Sequence, residues 1–132
     1  MALLLQNSIS IVALVTLLLS SGYSLKAYAQ LTGNATHYQP PYMPSACYGY
    51  AEQGSMIAQV GEELWNNGLA CGKHYQVTCL SGCRDQTVPV TVKIVEHCYK
   101  CEFTMILSEE AYDQISYTNG GGWINISYQE SI

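Results

Sequence analysis

Glu96 beside His97, and six cysteines at positions 47, 71, 79, 83, 98 and 101, are the residues of this chain whose types and spacing could do chemistry. A carboxylate next to an imidazole can hold or move a proton in a polar pocket. Cleaving a glycosidic bond takes more: one carboxyl protonates the leaving oxygen and a second activates water or attacks. No second acid is placed to help Glu96. The stretch from Gln30 to Ala51 contains no Asp or Glu, and Asp85 and Asp113 read as solvated surface charges. Glu96 is therefore a candidate proton carrier whose expected role is structural or in recognition, and no catalytic residue is assigned. No G-x-S-x-G turn presents a serine nucleophile.

The cysteines admit a metal, a redox or a structural reading. Cys79-x3-Cys83 and Cys98-x2-Cys101, with His74 and His97 at hand, loosely resemble a zinc ligand set. Cys98-x-x-Cys101 lacks the βαβ context of a redox motif. The N-terminus favours the structural reading. An apolar run from Ile9 to Leu19, broken only by Ser10 and Thr16, precedes Ala27-Tyr28-Ala29, an A-x-A cleavage pattern. The run is too short to span a bilayer. No Lys or Arg precedes it, so the amino terminus alone supplies the positive charge. Residues 1–29 are expected to be a secretory signal peptide and residues 30–132 one extracellular domain. In such a chain six cysteines read as three disulfides, with no metal and no cofactor, although spacing alone leaves the pairing open.

Ten acidic against five basic residues give a net charge of −5. The few basic residues form no cluster, which argues against nucleic acid and against an anionic lipid surface. No second apolar run follows the first, so membrane insertion is not expected, and the mature chain is expected to be a monomer. Aromatic residues offer the better contact surface. Tyr38, Tyr42, Tyr48, Tyr50 and Trp65 crowd the first half and could stack on sugar faces or anchor a protein partner. Trp65 is expected to pack on the domain, whereas Tyr42, beside Pro41 in a loop, is the stronger surface candidate. Two sequons, Asn34-Ala35-Thr36 and Asn125-Ile126-Ser127, make both asparagines candidate glycosylation sites, each inside a predicted strand.

The elements that must position these residues are short. Strands are predicted over 31–38, 56–60, 75–79, 88–95 and 123–128 from alternation and β-branched or aromatic content. In the last, Trp123, Asn125 and Ser127 share one face. Glu62 to Trp65 reads as a helical turn stopped by Asn66-Asn67-Gly68. Ser108 is a helix N-cap before Ala111, Tyr112 and Ile115, and Asn119-Gly120-Gly121-Gly122 is a turn. Pro40, Pro41 and Pro44 impose an extended loop outside any ladder. About six short strands with one or two short helices suggest a mainly β, closed barrel, which removes exposed sheet edges.

Several motifs then carry a family resemblance. They are Gly33-x-Ala35-Thr36-x-Tyr38, Pro40-Pro41-Tyr42, Ser45-Ala46-Cys47-Tyr48-Gly49, Met56-Ile57-Ala58, Leu64-Trp65-Asn66-Asn67-Gly68, Ala70-Cys71-Gly72-Lys73-x-Tyr75-x-Val77-x-Cys79, Val90-x-Val92-Lys93-Ile94-Val95, Cys98-x-x-Cys101 and Leu107-Ser108-x-Glu110-Ala111. Spanning nearly all of Gly33 to Tyr128 in order, they resemble the plant natriuretic peptides, single-domain, expansin-like double-psi β-barrel proteins. The resemblance implies a six-stranded barrel stabilised by disulfides, secretion to the plant cell wall space, and a role in water and solute homeostasis without wall-loosening activity. It implies the pairs Cys47–Cys71 and Cys79–Cys83, with Cys98–Cys101 left over. True expansins carry a second, carbohydrate-binding domain, and this chain ends where that domain would begin. The resemblance also implies an acid just before Leu107-Ser108, where this chain has Ile106. An isoleucine cannot exchange a proton, so the expectation is a non-enzymatic protein whose partner is a cell-surface receptor or a wall polysaccharide. The alternatives are a polysaccharide-binding module or a weak hydrolase of the barwin or family 45 type.

Overall fold

A computed structural model describes residues 30–85, 88–117 and 122–132. The expected signal peptide and most of the predicted turn at 119–122 lie outside the described residues. The elements run in the order β1 (Leu31–Tyr38), β2 (Ile57–Val60), α1 (Glu62–Trp65), β3 (His74–Ser81), β4 (Val90–His97), β5 (Met105–Ser108), α2 (Glu109–Ile115) and β6 (Ile124–Ser131). The six strands close into a barrel in the order β1-β5-β2-β4-β3-β6. Two pairs are parallel, β1 with β5 and β2 with β4, and the other four are antiparallel. This is the mainly β, closed barrel with two short helices that the sequence leads one to expect.

Alternation builds the interior. Val90, Val92 and Ile94 of β4 point inward with Val77 of β3, Met105 and Leu107 of β5, and Ile124 and Ile126 of β6. Helix α2 closes one end of the barrel with Ala111, Tyr112 and Ile115. Its N-cap is Ser108, whose hydroxyl oxygen accepts the Ala111 N–H at 3.2 Å and satisfies one of the four free donors of the first turn. Helix α1 stops after four residues because Asn66 and Asn67 adopt left-handed φ values of 46° and 55°, which asparagine tolerates better than most residues.

The observed strand limits correct four of the predicted ones. β2 starts at Ile57 rather than Met56. β3 begins one residue earlier and runs two residues further than predicted, to Ser81. β4 starts at Val90, because Pro89 has no N–H to give the ladder, and Val88 is left 74% exposed. β6 starts at Ile124, after Gly122 at φ +102°, and reaches Ser131. Ser127 keeps the face it shares with Asn125 but is covered there, its hydroxyl accepting the Gln30 side-chain N–H at 3.3 Å. Trp123 and Asn125 are exposed, while Ser127 is buried between Ile126 and Tyr128. β5 is a strand that alternation did not reveal.

Three disulfides join Cys47 to Cys71, Cys79 to Cys83 and Cys98 to Cys101. Cys47–Cys71 ties the long β1–β2 loop to the segment that leads into β3, with its Cα atoms 5.5 Å apart. Gly61 shows how tightly the chain runs at the end of β2. A Cβ there would meet the Phe103 carbonyl oxygen at 2.5 Å, and its N–H donates to the Thr104 carbonyl at 3.1 Å.

Candidate functional site

The ladders place Thr36, Ile106 and Gln59 side by side: Thr36 pairs with Ile106 across β1 and β5, and Ile106 with Gln59 across β5 and β2. Met105 and Leu107 point into the barrel and are fully buried, so Ile106 between them faces outward and is half-buried. The next strand continues the row, with Gln59 opposite Glu96 past a register shift in β2. An outer wall therefore reads Thr36, Ile106, Gln59, Glu96 from strand to strand. Its central position, where the resemblance implies an acid, holds a hydrocarbon.

Glu96 sits at the far end of this row with both oxygens engaged. Oε2 accepts the Ala46 N–H at 3.1 Å and Oε1 accepts the His97 N–H at 3.0 Å. The Cys47 N–H donates to the neighbouring Val95 carbonyl at 3.0 Å. The Ser45–Gly49 turn is thus pinned to the end of β4 by Glu96 and by the β4 backbone. Asp113, one of the two aspartates, pairs with Arg84 at 2.8 Å.

Tyr38 and Tyr42 form an edge-to-face pair with ring centroids 4.9 Å apart. The Tyr42 hydroxyl donates to Glu110 Oε2 at 2.6 Å and accepts the Glu109 N–H at 3.2 Å, which fastens the proline loop to the start of α2. Burial, and then the bond to Glu110, push the Tyr42 phenol up to about 12, against the opposing pull of the Glu109 N–H. The Tyr38 phenol is raised further, first by burial and then by the charges of Tyr42, Glu96 and Glu110 around it. Its hydroxyl is buried with no hydrogen-bond partner. Beside this pair the loop arches over Ile57 and Val95, enclosing an apolar cavity of 190 Å³ also lined by Pro40, Met43 and Glu52.

The other aromatic candidates do not join one surface. The Tyr48 ring lies under the Lys93 ammonium at 4.5 Å, and Lys93 also donates to Gln53 Oε1 at 2.6 Å. Tyr50 projects into solvent at 81% exposure. Trp65 packs against the core cluster and stacks face to face on His97, with centroids 4.6 Å apart. His97 Nε2 lies 3.1 Å from Glu62 Oε1, close enough for attraction when the ring is charged but off the line of a hydrogen bond. Every cysteine is in a disulfide, so none offers a thiolate to a metal. Among the described residues no three His, Cys, Asp or Glu side chains converge as metal ligands.

Thr36, Gln59 and Trp123 were not singled out as site residues in the sequence. Thr36 and Gln59 acquire meaning only through cross-strand register. Trp123, 57% exposed next to Asn125, carried a visible signal: a tryptophan directly after a glycine run.

A six-stranded closed barrel with two parallel pairs, and a loop stapled across its wall, defines a double-psi β-barrel protein. The double-psi barrel family model described as "Lytic transglycolase" matches residues 57–128. An EG45-like domain containing protein of Citrus jambhiri is 44% identical over 106 residues, covering 74% of this chain and 79% of that protein. A putative EG45-like domain containing protein 1 of Arabidopsis thaliana is 44% identical over 104 residues, covering 73% and 80%. Among solved structures, a mutant Clavibacter michiganensis expansin in complex with cellohexaose superposes with a TM-score of 0.66 at 27% identity, over 79% of this chain. The chain spans 51% of that expansin's length. The chain belongs to the expansin-like double-psi β-barrel family, among the EG45-like proteins to which the plant natriuretic peptides are related.

Proposed function

We propose that this protein is a secreted, non-enzymatic signal of the plant natriuretic peptide kind, acting from the cell wall space on water and solute balance. One observation carries the non-enzymatic part. The outward position on β5 that would hold an acid is Ile106, and Glu96, at the end of the same row, has both oxygens taken by backbone N–H groups. A carboxylate already bound on both oxygens is poorly placed to activate water, and glycosidic hydrolysis needs two working carboxyls. The systemic role rests on the family relationship, and its partner would be a cell-surface receptor.

The test is the volume of plant protoplasts exposed to purified folded Gln30–Ile132, with reduced and alkylated protein as the control. Protoplasts have no wall, so swelling caused by the folded form alone requires action at the cell surface. Absence of swelling overturns the signalling reading.

A second reading, wall-polysaccharide binding, is favoured by the exposed Trp123, which follows Gly122, whose carbonyl accepts the Thr36 hydroxyl at 2.8 Å, and by the cellohexaose held by the bacterial expansin. Tyr42 contributes less to it than its loop position suggested, because its hydroxyl and ring are already engaged. Retention of the protein on insoluble β-glucan, lost in Trp123→Ala, supports this reading over the first.

A further inference from the structure

The two sequon asparagines, far apart in sequence, face each other in the barrel. Asn34 of β1 is the direct antiparallel partner of Asn125 of β6. Directly opposed residues of such a pair share one face of the sheet, with Cβ atoms about 4.5–5.5 Å apart. A sugar ring is about as wide as that gap, so two branched glycans rooted there would compete for the same space. The fold offers this wall room for one.

The surroundings of the two amides differ. Asn34 is half-buried and its side chain is in use. Its Oδ1 accepts the Thr104 N–H at 2.9 Å and the Thr104 hydroxyl at 3.2 Å, and its own N–H donates to Thr104 Oγ1 at 3.2 Å. Thr104 also fills the space above Gly33, where a Cβ would collide with its side chain. These contacts fix the carboxamide of Asn34 against the β4–β5 connection. Asn125 is exposed, and its amide makes one hydrogen bond, to Ser81 Oγ at 2.7 Å. Beside it lies an open, shallow depression that includes Thr32 and Leu80, the latter 55% exposed.

We propose that the protein carries a single N-linked glycan, on Asn125, and that Asn34 stays unmodified. The donor is a lipid-diphosphate-linked oligosaccharide met in the secretory pathway. The Asn125 amide nitrogen forms a bond to C1 of the first sugar, the C1–oxygen bond to the diphosphate breaks, and the lipid diphosphate leaves. The amide proton is lost to a base of the transferase, and no oxidation or reduction occurs. The glycan lies over Leu80 and the adjoining wall. The inference rests on the secretion proposed above.

The test is expression of the full chain in cultured plant cells, followed by glycopeptide mass mapping of protein from medium and from cells. The expected result is secreted protein with glycan on Asn125 alone. Asn125→Gln removes it, and Thr36→Val, which breaks the first sequon without touching Asn34, leaves the glycan mass unchanged. Secreted protein with a glycan on Asn34, on both asparagines or on neither overturns the proposal. Protein retained in cells with residues 1–29 intact and no glycan overturns the secretion reading and the glycan with it, and the absence of protein from the medium distinguishes the two failures.

Discussion

The Glu96 carboxylate holds the backbone N–H of Ala46 at 3.1 Å, so this acid serves as a clamp on the Ser45–Gly49 turn. Its second oxygen takes the His97 N–H, so each oxygen has a backbone partner. Hydrogen bonds to a charged acceptor are worth about 1.5–3 kcal/mol, and neutral ones about 1. Glu96→Gln keeps one oxygen acceptor and is expected to lower stability by about 1 kcal/mol. Glu96→Ala removes both bonds, the one to the exposed Ala46 replaceable by water, and should cost about 1–2 kcal/mol. Urea midpoints at neutral pH measure both. Equal midpoints for wild type and Glu96→Ala would remove the clamp.

Ile106→Asp tests whether one acid restores catalysis. Position 106 is separated from Glu96 by two inter-strand steps, through Gln59. Each step is about 4.8 Å, so the two positions lie roughly 10 Å apart. That is at or beyond the upper end of the spacing, about 6.5–9.5 Å, at which two carboxyls share an inverting hydrolysis. Glu96 is also held by Ala46. The variant is expected to fold, since position 106 faces outward, and to release no reducing sugar from β-glucan. Hydrolysis by the variant that Glu96→Gln then abolishes would show that the wall needs only its missing acid.

Tyr38 and Tyr42 predict an alkaline limit to stability. An unfolded tyrosine loses its proton near 10.0, whereas folded Tyr42 keeps its proton up to about 12 and Tyr38 higher still. Between those values the unfolded chain has released protons that the folded chain retains, so stability falls as pH rises. The contribution is full below pH 10 and is lost as pH climbs through the folded value. Tyr75 and Tyr128 are also raised by burial and act in the same direction. Melting temperature should therefore decline from about pH 10 upward, and less steeply in the Tyr38→Phe, Tyr42→Phe double variant. At neutral pH Tyr38→Phe alone should be neutral or stabilising by up to about 1 kcal/mol, because it removes a buried hydroxyl that has no partner. A clear loss of stability in that variant would mean that the hydroxyl is satisfied in solution.

Much of the barrel was legible because β3 and the first half of β4 alternate and because Ser108 announces a helix start. β5 was not. Its four residues run straight into α2, so the chain offers Met105-Ile106-Leu107-Ser108 with no turn residue to close a strand. Only pairing on both sides, with β1 and β2, makes it one. The site was legible to a similar degree. Ile106 and Glu96 could be named from motif order, but their common wall with Thr36 and Gln59 depends on register, which a one-residue shift would invert. Apart from the Tyr38–Tyr42 pair, the aromatic candidates separated because proximity along the first half of the chain says nothing about facing direction. Tyr42 turns onto Glu110, Tyr48 onto Lys93 and Trp65 onto His97.

The three disulfides should differ in what their loss costs, because they close loops of different length. Cys47 and Cys71 are 24 positions apart, Cys79 and Cys83 four, and Cys98 and Cys101 three. Loop-closure entropy gives about 3.5 kcal/mol for the first and about 2 kcal/mol for each of the others. Cys47–Cys71 also secures a loop that otherwise relies on the Glu96 and Val95 contacts to its turn and on Tyr42 at its proline end. The Cys47→Ala, Cys71→Ala pair should therefore destabilise more than Cys98→Ala, Cys101→Ala. Adding Glu96→Ala to the first pair should cost more than the sum of the separate losses, since both hold the same turn. Thermal melts of the two double variants and the triple variant measure this. Simple additivity would show that the turn is held independently of Glu96.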